Sequence, residues 1–429
     1  MIDALSKLAH VRLIAWDGDR SEGSALREVT DASAAAALVV TGSVRRFGQH
    51  LRVTVHIIDA ATYCFLWTES VDSIGDDLLS LQDEVAKRVA EKLQNEFLGT
   101  GTAGIRKRPT ENLAAYNLYL QGRYHLSQRT EEGLRKAADF FERAILEDAQ
   151  YSLAYSGLAD AYGLLGHYGV LAPAEVWIKT ASNAATAVLL NDNSAEAHTS
   201  LAHVKSTQDW DWLAGEHEFR RAIKLDPRYP TAHHWYGISC LAPLGRLDEA
   251  LQELLLAQAL DPVSPIISRD LAVIRYYRRD FDAALEQCDH TVELNPHFSA
   301  AYWTLGVIQE LRRDFEEAAA AFRRAIQLSP NSPRMRAALA RTFALSDRRA
   351  DAENTVHELH ELATKRYVSP FEFASIYFAL DQYELGIEWL RKAFQDRCFE
   401  LISIKVDPRF DALKADSRFE FISNQLGLS

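Results

Sequence analysis

One six-residue phrase returns along the second half of the chain at a nearly constant step, and that step limits the possible folds more than any other feature. A small residue, an aliphatic residue, any residue, Leu, Asp/Asn/Ser and Pro read AIKLDP at 222–227, AQALDP at 257–262, TVELNP at 291–296 and AIQLSP at 325–330. The prolines, Pro227, Pro262, Pro296 and Pro330, are spaced by 35, 34 and 34 residues. Weaker copies, AILEDA at 144–149 and AVLLND at 187–192, carry the series toward the N-terminus. A fixed period of this length marks a stacked array, in which each unit buries its apolar face only against its neighbours.

Inside one period the residues read as two helices. Each phrase closes a second helix, because proline lacks the backbone donor needed to continue it. In the first helix that follows, a large residue, an aliphatic or aromatic residue and a small residue recur at fixed offsets: Tyr155, Leu158 and Ala159; His233, Tyr236 and Gly237; Tyr302, Leu305 and Gly306. In the second helix a small residue precedes a bulky one by four positions: Ala137 and Phe141, Gly215 and Phe219, Ala318 and Phe322. Residues four apart share a helix face, so the small residue admits the partner helix and the bulky one fills the groove beside it. Ser264-Pro265 and Ser332-Pro333 place a capping Ser before a proline at the first helical position, and Ser369-Pro370-Phe371-Glu372 adds the Glu of a capping box. The pattern divides into eight repeats, 112–151, 152–194, 195–229, 230–264, 265–298, 299–332, 333–366 and 367–400. Residues 401–429 read as helices that cap the last apolar face.

Residues 1–98 do not follow the period. Segment 2–9 reads as the end of a helix and 11–15 as a strand. Segments 37–44 and 51–59 are rich in β-formers and joined by a hairpin-like connection over 45–50, with Arg45 and Arg46 at its tip. Phe65–Glu69 is a third strand, and 76–97 an amphipathic helix with Leu78, Leu81, Val85, Val89 and Leu93 on one stripe. This predicts a small α+β module, followed by a linker at 99–111.

Composition narrows the function. With 48% hydrophobic residues the chain can build a continuous core, and a formal charge of -13 argues against a nucleic-acid backbone as partner. The four cysteines, Cys64, Cys240, Cys288 and Cys398, lie too far apart for a zinc site or disulfide framework and read as buried thiols. Neither a membrane-spanning run nor a signal peptide is found, so the chain as written is expected to be cytoplasmic, or extracytoplasmic if an upstream segment spans a membrane.

The repeated phrase and its small–bulky pairs resemble the tetratricopeptide (TPR) repeat. The phrases GSVRRFGQHLRVTVHIIDAAT, LWTESVDS and LLSLQDEVAKRVAEKL resemble the TolB-like module that precedes TPR arrays in bacterial signalling proteins. RPTENLAAYNLYLQGRYHL and the Asp209-Trp210-Asp211-Trp212 turn look like the arrays joined to it. The resemblance implies a mainly α fold, a right-handed superhelical solenoid behind a small α+β module that lacks its usual opening strand. It also implies that first helices line a concave face. The inward offsets fall on Asp160, Thr199, His203, His234, Arg269, Tyr276, Trp303, Glu310, Arg341 and Phe371. These are the candidate partner-binding residues, with exposed Trp, Tyr and Arg as the usual anchors. The Lys/Asn pattern that clamps a terminal carboxylate in chaperone-binding arrays is missing: no Asn stands at the ninth offset of repeats two to eight.

Other motifs read as structure. Gly99, Gly101 and Gly104 match a dinucleotide fingerprint but follow a helix rather than a strand, so they read as linker, as do Arg106, Lys107 and Arg108. His357 and His360 lie three apart on an exposed helix face without a third ligand, and His233, beside His234, falls at a packing position. Nucleophile-elbow, P-loop and HExxH patterns are absent. The chain is therefore expected to be a non-catalytic, cofactor-free scaffold that binds a protein or peptide as the sensory or regulatory part of a bacterial signalling system. The alternative is the C-terminal regulatory part of a Ser/Thr kinase, adenylate cyclase or winged-helix transcription regulator.

Overall fold

A computed structural model of the chain describes residues 38–47, 50–59, 65–74, 78–93 and 110–428. The segments read as an opening helix end and strand (2–15), the Gly99–Gly104 motif, Arg106–Arg108 and Cys64 lie outside them. The chain forms two compact units, the first drawn mainly from its N-terminal 113 residues and the second from the helical repeats.

The first unit is an antiparallel sheet in the order β1 (Leu38–Phe47), β2 (His50–Asp59), β3 (Phe65–Ile74), with one helix, α1 (Leu78–Leu93). Alternation along β2 turns Val53, Val55 and Ile57 to one face, where they meet Val71 and the Leu81, Val85 and Val89 stripe of α1. Phe47 pairs with His50, so the hairpin connection is only Gly48-Gln49. Arg45 and Arg46, expected at the tip, are instead strand residues paired with Arg52 and Leu51. The ladder runs further than the β-rich runs alone indicated, because backbone pairing carries on wherever the partner strand does.

In the second unit eight helix pairs follow one another: α2 (Leu113–Ser127) with α3 (Glu131–Glu147), α4 (Ser152–His167) with α5 (Pro173–Leu190), α6 (Ala195–Val204) with α7 (Trp212–Leu225), α8 (Pro230–Tyr236) with α9 (Leu247–Leu260), α10 (Pro265–Tyr277) with α11 (Phe281–Leu294), α12 (Ser299–Leu311) with α13 (Phe315–Leu328), α14 (Pro333–Leu345) with α15 (Arg349–Ala363), and α16 (Pro370–Ala379) with α17 (Tyr383–Gln395). Two 3-10 turns, Phe399–Ser403 and Pro408–Leu413, and a last helix, α18 (Ser417–Gln425), complete the chain.

Each pair turns on a residue with left-handed backbone: Arg129, Gly169, Trp210, Gly245, Arg279, Arg313, Asp347 and Asp381. In the fifth repeat Arg279 N–H donates to the Tyr276 carbonyl and Asp280 N–H to that of Arg275, the paired bonds that end a helix in this conformation. Repeats three and four are one residue longer than the next two: Asp192 to Pro227 and Pro227 to Pro262 are each 35 residues. The extra residue is absorbed in the first helix as a π-helical turn, at Lys205–Asp209 after α6 and at Gly237–Leu241 after α8.

The seams follow the small–bulky pattern. Phe141, Phe219 and Phe322 are wholly buried. A Cβ on Gly122 or Gly157 would come within 2.5 or 2.6 Å of the Phe141 ring, so glycine on both flanking helices makes room for it. Capping departs from expectation. Thr130, Ser194 and Asp211 accept from the helix N–H groups they precede, but Ser264, Ser332 and Ser369 do not. No capping box forms at Ser369 and Glu372, because Ser369 Oγ turns instead to Glu400 Oε2 at 3.3 Å.

Candidate functional site

The repeats curl until the seventh meets the first: Arg366, beyond α15, donates to Glu131 at the start of α3 at 3.0 Å. First-helix residues thereby come round a common interior, and residues 398–428 run into it. Beyond covering the last repeat, where Phe410 stands edge-on to Phe371 at 5.4 Å, this segment reaches back across the array. Tyr276 Oη donates to Asp407 Oδ1 at 2.7 Å, and Arg279 to the Val406 carbonyl at 2.8 Å and to Asp411 at 2.7 Å. Trp212 Nε1 donates to the Leu426 carbonyl at 2.6 Å. Just before the segment, Arg397 donates to the Gln208 carbonyl at 2.7 Å, its guanidinium over the Trp177 and Trp210 rings at 4.4 and 4.6 Å.

The candidate residues lie on this interior, and most are closed off from solvent. Asp160 accepts from Ser200 Oγ at 2.6 Å, and burial pushes its carboxyl up to about 7. Thr199 is spent on the Ala195 carbonyl. His203 is 5% exposed, lies 4.4 Å from the Trp235 ring and faces Phe399, and burial pushes its imidazole down to about 3. His234 bonds Asp270 at 2.6 Å, and Asp270 pairs with Arg269 at 2.7 Å. Trp303 lies under the Arg334 and Arg409 guanidinium groups at 4.3 and 5.5 Å. Glu310 and Arg341 form a buried ion pair, with Thr342 Oγ1 donating to Glu310 Oε2 at 2.8 Å. Phe371 and Tyr276 are buried against the C-terminal segment.

Between α4, α6, α8, α10, α12 and the Phe399–Ser403 turn remains a cavity of about 800 Å³ including its opening to solvent. Arg129, Arg269, Arg334 and Arg409 line it with His167, His203 and His234. A recess of about 400 Å³ shares His167 and Phe399 with it and is walled by Trp177 and Arg397. Beside the cavity, Glu372 and Glu400 share one buried site. Burial first, then their mutual repulsion, raise the Glu372 carboxyl to about 7, and burial raises that of Glu400.

Sequence reasoning did not single out Asp407, Arg409, Glu400 or Arg129. One local signal was present: in Val406-Asp407-Pro408-Arg409 the carboxylate and guanidinium pair two residues apart, at 2.6 Å. The histidines divide. His233 is buried between Glu253 and the Pro227 carbonyl, at 2.6 and 2.9 Å, as its packing position indicated. His357 is exposed, while His360 stacks on Phe373 at 4.5 Å. Cys240, Cys288 and Cys398 are buried free thiols.

Comparison with known proteins agrees with this architecture. Residues 211–265 and 269–333 match one tetratricopeptide repeat model, and residues 311–369 match a second. The chain carries tetratricopeptide repeats. Over 250 residues the chain is 23% identical to the transcriptional regulator HilA of Salmonella typhimurium, covering 58% of this chain and 44% of that protein. A putative adenylate cyclase of Rhizobium meliloti is 27% identical over 121 residues, 28% of this chain and 21% of its own. The chain thus spans less than half the length of these curated relatives. Among solved structures, PilF of Pseudomonas aeruginosa superposes with a TM-score of 0.37 at 20% identity, over 53% of this chain and 96% of that one. Among the described residues no helix of the repeat protein is long and apolar enough to cross a membrane.

Proposed function

We propose that this chain is a non-catalytic interaction scaffold, the sensory or regulatory part of a bacterial signalling system, which takes a peptide-like segment of a partner on the inner face of its repeats. The observation that supports this most is the seat of residues 398–428. Tyr276 on a first helix, Arg279 in the turn after it and Trp212 at the start of a second helix hold that segment, side chains of the types that anchor interfaces. A surface that grips a segment of its own chain in this way can grip a partner's segment in exchange. The relative named a transcriptional regulator favours a regulatory role, as does the TolB-like reading of the N-terminal phrases.

Affinity capture tests the proposal with the intact chain, Asp407→Asn and Trp303→Ala. Asp407→Asn loosens the seated segment and is expected to raise recovery of the partner. Trp303→Ala strips an inner-face anchor and is expected to lower it. Equal recovery with all three removes the inner face from the proposal.

The partial coverage of both curated relatives favours a second reading, in which the chain is the C-terminal regulatory portion of a longer regulator. A winged-helix, kinase or cyclase sequence in frame ahead of Met1 in the genomic DNA would establish it. A stop codon and ribosome-binding site there would favour the detached scaffold. The same sequence decides the compartment.

A further inference from the structure

Four turn residues with left-handed backbone are arginines, Arg129, Arg279, Arg313 and Arg397, and other parts of the chain answer Arg279 and Arg397. Arg279 is taken by Val406 and Asp411, and Arg397 by the Gln208 carbonyl and two tryptophan rings. Arg129 lines the cavity, and its Nε is buried without a hydrogen-bond partner. Among the described residues no carboxylate pairs with it. Asp160 and Asp270 act on it only through space and make their close contacts elsewhere, Asp160 with Ser200 and Asp270 with His234 and Arg269. A guanidinium is always charged, so one whose Nε is buried without a partner beside a cavity is placed to hold an anion there.

Two further groups point the same way. His203, 5% exposed, makes no hydrogen bond through its ring, and His167 Nδ1 is buried without a partner. Burial holds both imidazoles neutral, so each offers an N–H donor and adds no charge. The remaining cationic residues face carboxylates: Arg409 faces Asp407, Arg269 faces Asp270, and Arg334 faces Glu372 with Glu400 nearby. The wall also carries Ser239, Tyr277 and Ser403, and its apolar and aromatic part is formed by Trp235, Ile238, Ile266 and Trp303. A space of this size suits a small molecule rather than a protein segment.

We infer that the inner cavity is a binding site for a small organic anion, whose oxyanion group is held by Arg129 with the ring N–H groups of His167 and His203 and whose apolar body lies against Trp235, Ile266 and Trp303. The forked guanidinium suits a carboxylate or a phosphate equally, and the aromatic wall selects for the body attached to it. This site deepens the sensory reading by naming the chemistry that would be sensed, yet it is tested without any partner and with the C-terminal segment in place.

The test is titration of the intact chain with benzoate, phenyl phosphate, benzamide and inorganic phosphate, followed by tryptophan fluorescence and by the melting midpoint. Benzoate or phenyl phosphate is expected to saturate and raise the midpoint, and which of the two binds tighter identifies the head group. Benzamide and inorganic phosphate are expected to bind at least about tenfold more weakly, the loss set by a missing charge or a missing body. Arg129→Asn, chosen because Asn accepts a left-handed backbone, should cost a similar factor with the fold intact by circular dichroism. Arg129→Lys keeps the charge without the fork and should lie between. Saturation by none of the charged probes overturns the site. So does benzamide matching benzoate, inorganic phosphate matching phenyl phosphate, or unchanged affinity in both Arg129 variants.

Discussion

At the seams of the array Phe141, Phe219 and Phe322 do the same work in three repeats, each four residues after a small partner and each wholly buried. On the inner face, which is nearly as well buried, no residue type recurs in this way. His203, Arg269, Trp303 and Arg341 come from four different repeats, and each has different neighbours. The contrast separates what holds the array together from what the array holds. A seam must be the same wherever a repeat meets its neighbour, so its apolar residues return with the period. The interior is met once, by one segment with its own sequence, so its side chains are individual and polar, and they are answered one by one.

The largest effect tests the seam. Phe141→Ala removes a ring that fills the space between Gly122 and Gly157, and should lower global stability by about 3–5 kcal/mol in denaturant unfolding. A loss under about 1 kcal/mol would mean that the seam does not carry the fold.

Next comes the interior. Asp407→Asn keeps the volume but removes the charge that Arg409 and Tyr276 share. It should cost roughly 1.5–3 kcal/mol, felt locally. Hydrogen exchange should quicken in 404–428 and stay unchanged in the seam helices. Acid should act in the same way. Burial works against the charged Asp407, but Arg409 and Tyr276 outweigh it and hold its carboxyl below the ordinary value of 3.8. Its contribution is thus present above that value and is lost as the pH falls through the folded-state pKa. Exchange that quickens evenly across the array would erase the distinction between seam and interior.

The smallest effect has the opposite sign. Glu372 has a raised carboxyl pKa, from burial and then from Glu400. Its protonated form therefore stabilises the fold fully below the ordinary value of 4.5, and that contribution fades as the pH rises through about 7. Glu372→Gln should raise the melting midpoint at pH 8 by a few degrees and leave it nearly unchanged at pH 4. An equal change at both pH values would show that packing, not charge, governs this site.

Much of this organisation was legible in the sequence. The period placed the helix pairs, and the step of 35 residues in repeats three and four carries a trace of their π-helical turns. Of the residues at the inward offsets, His203, His234, Arg269 and Trp303 line the cavity and Tyr276 and Phe371 meet the C-terminal segment, while Asp160 bonds Ser200 and Glu310 pairs with Arg341. Exposure was not legible, because it depends on what covers a residue. Residues 401–429 read as a cap over the last repeat, yet Trp212 meets Leu426 across 214 positions of chain. Local rules also gave way to distant partners. Ser369 and Glu372 have the spacing of a capping box, but Glu400 draws off the hydroxyl, and β-pairing takes Arg45 and Arg46 out of the turn.

By itself the sequence determined the repeat and its seams, since these rest on backbone chemistry and on contacts between neighbours one period apart. Only the tertiary structure decided that the array closes from Arg366 to Glu131, that its C-terminal segment enters the interior, and that the Arg129 Nε is left without a hydrogen-bond partner. The closure and the seating of that segment depend on curvature summed over many repeats and on single pairings between distant residues, and neither has a period to read.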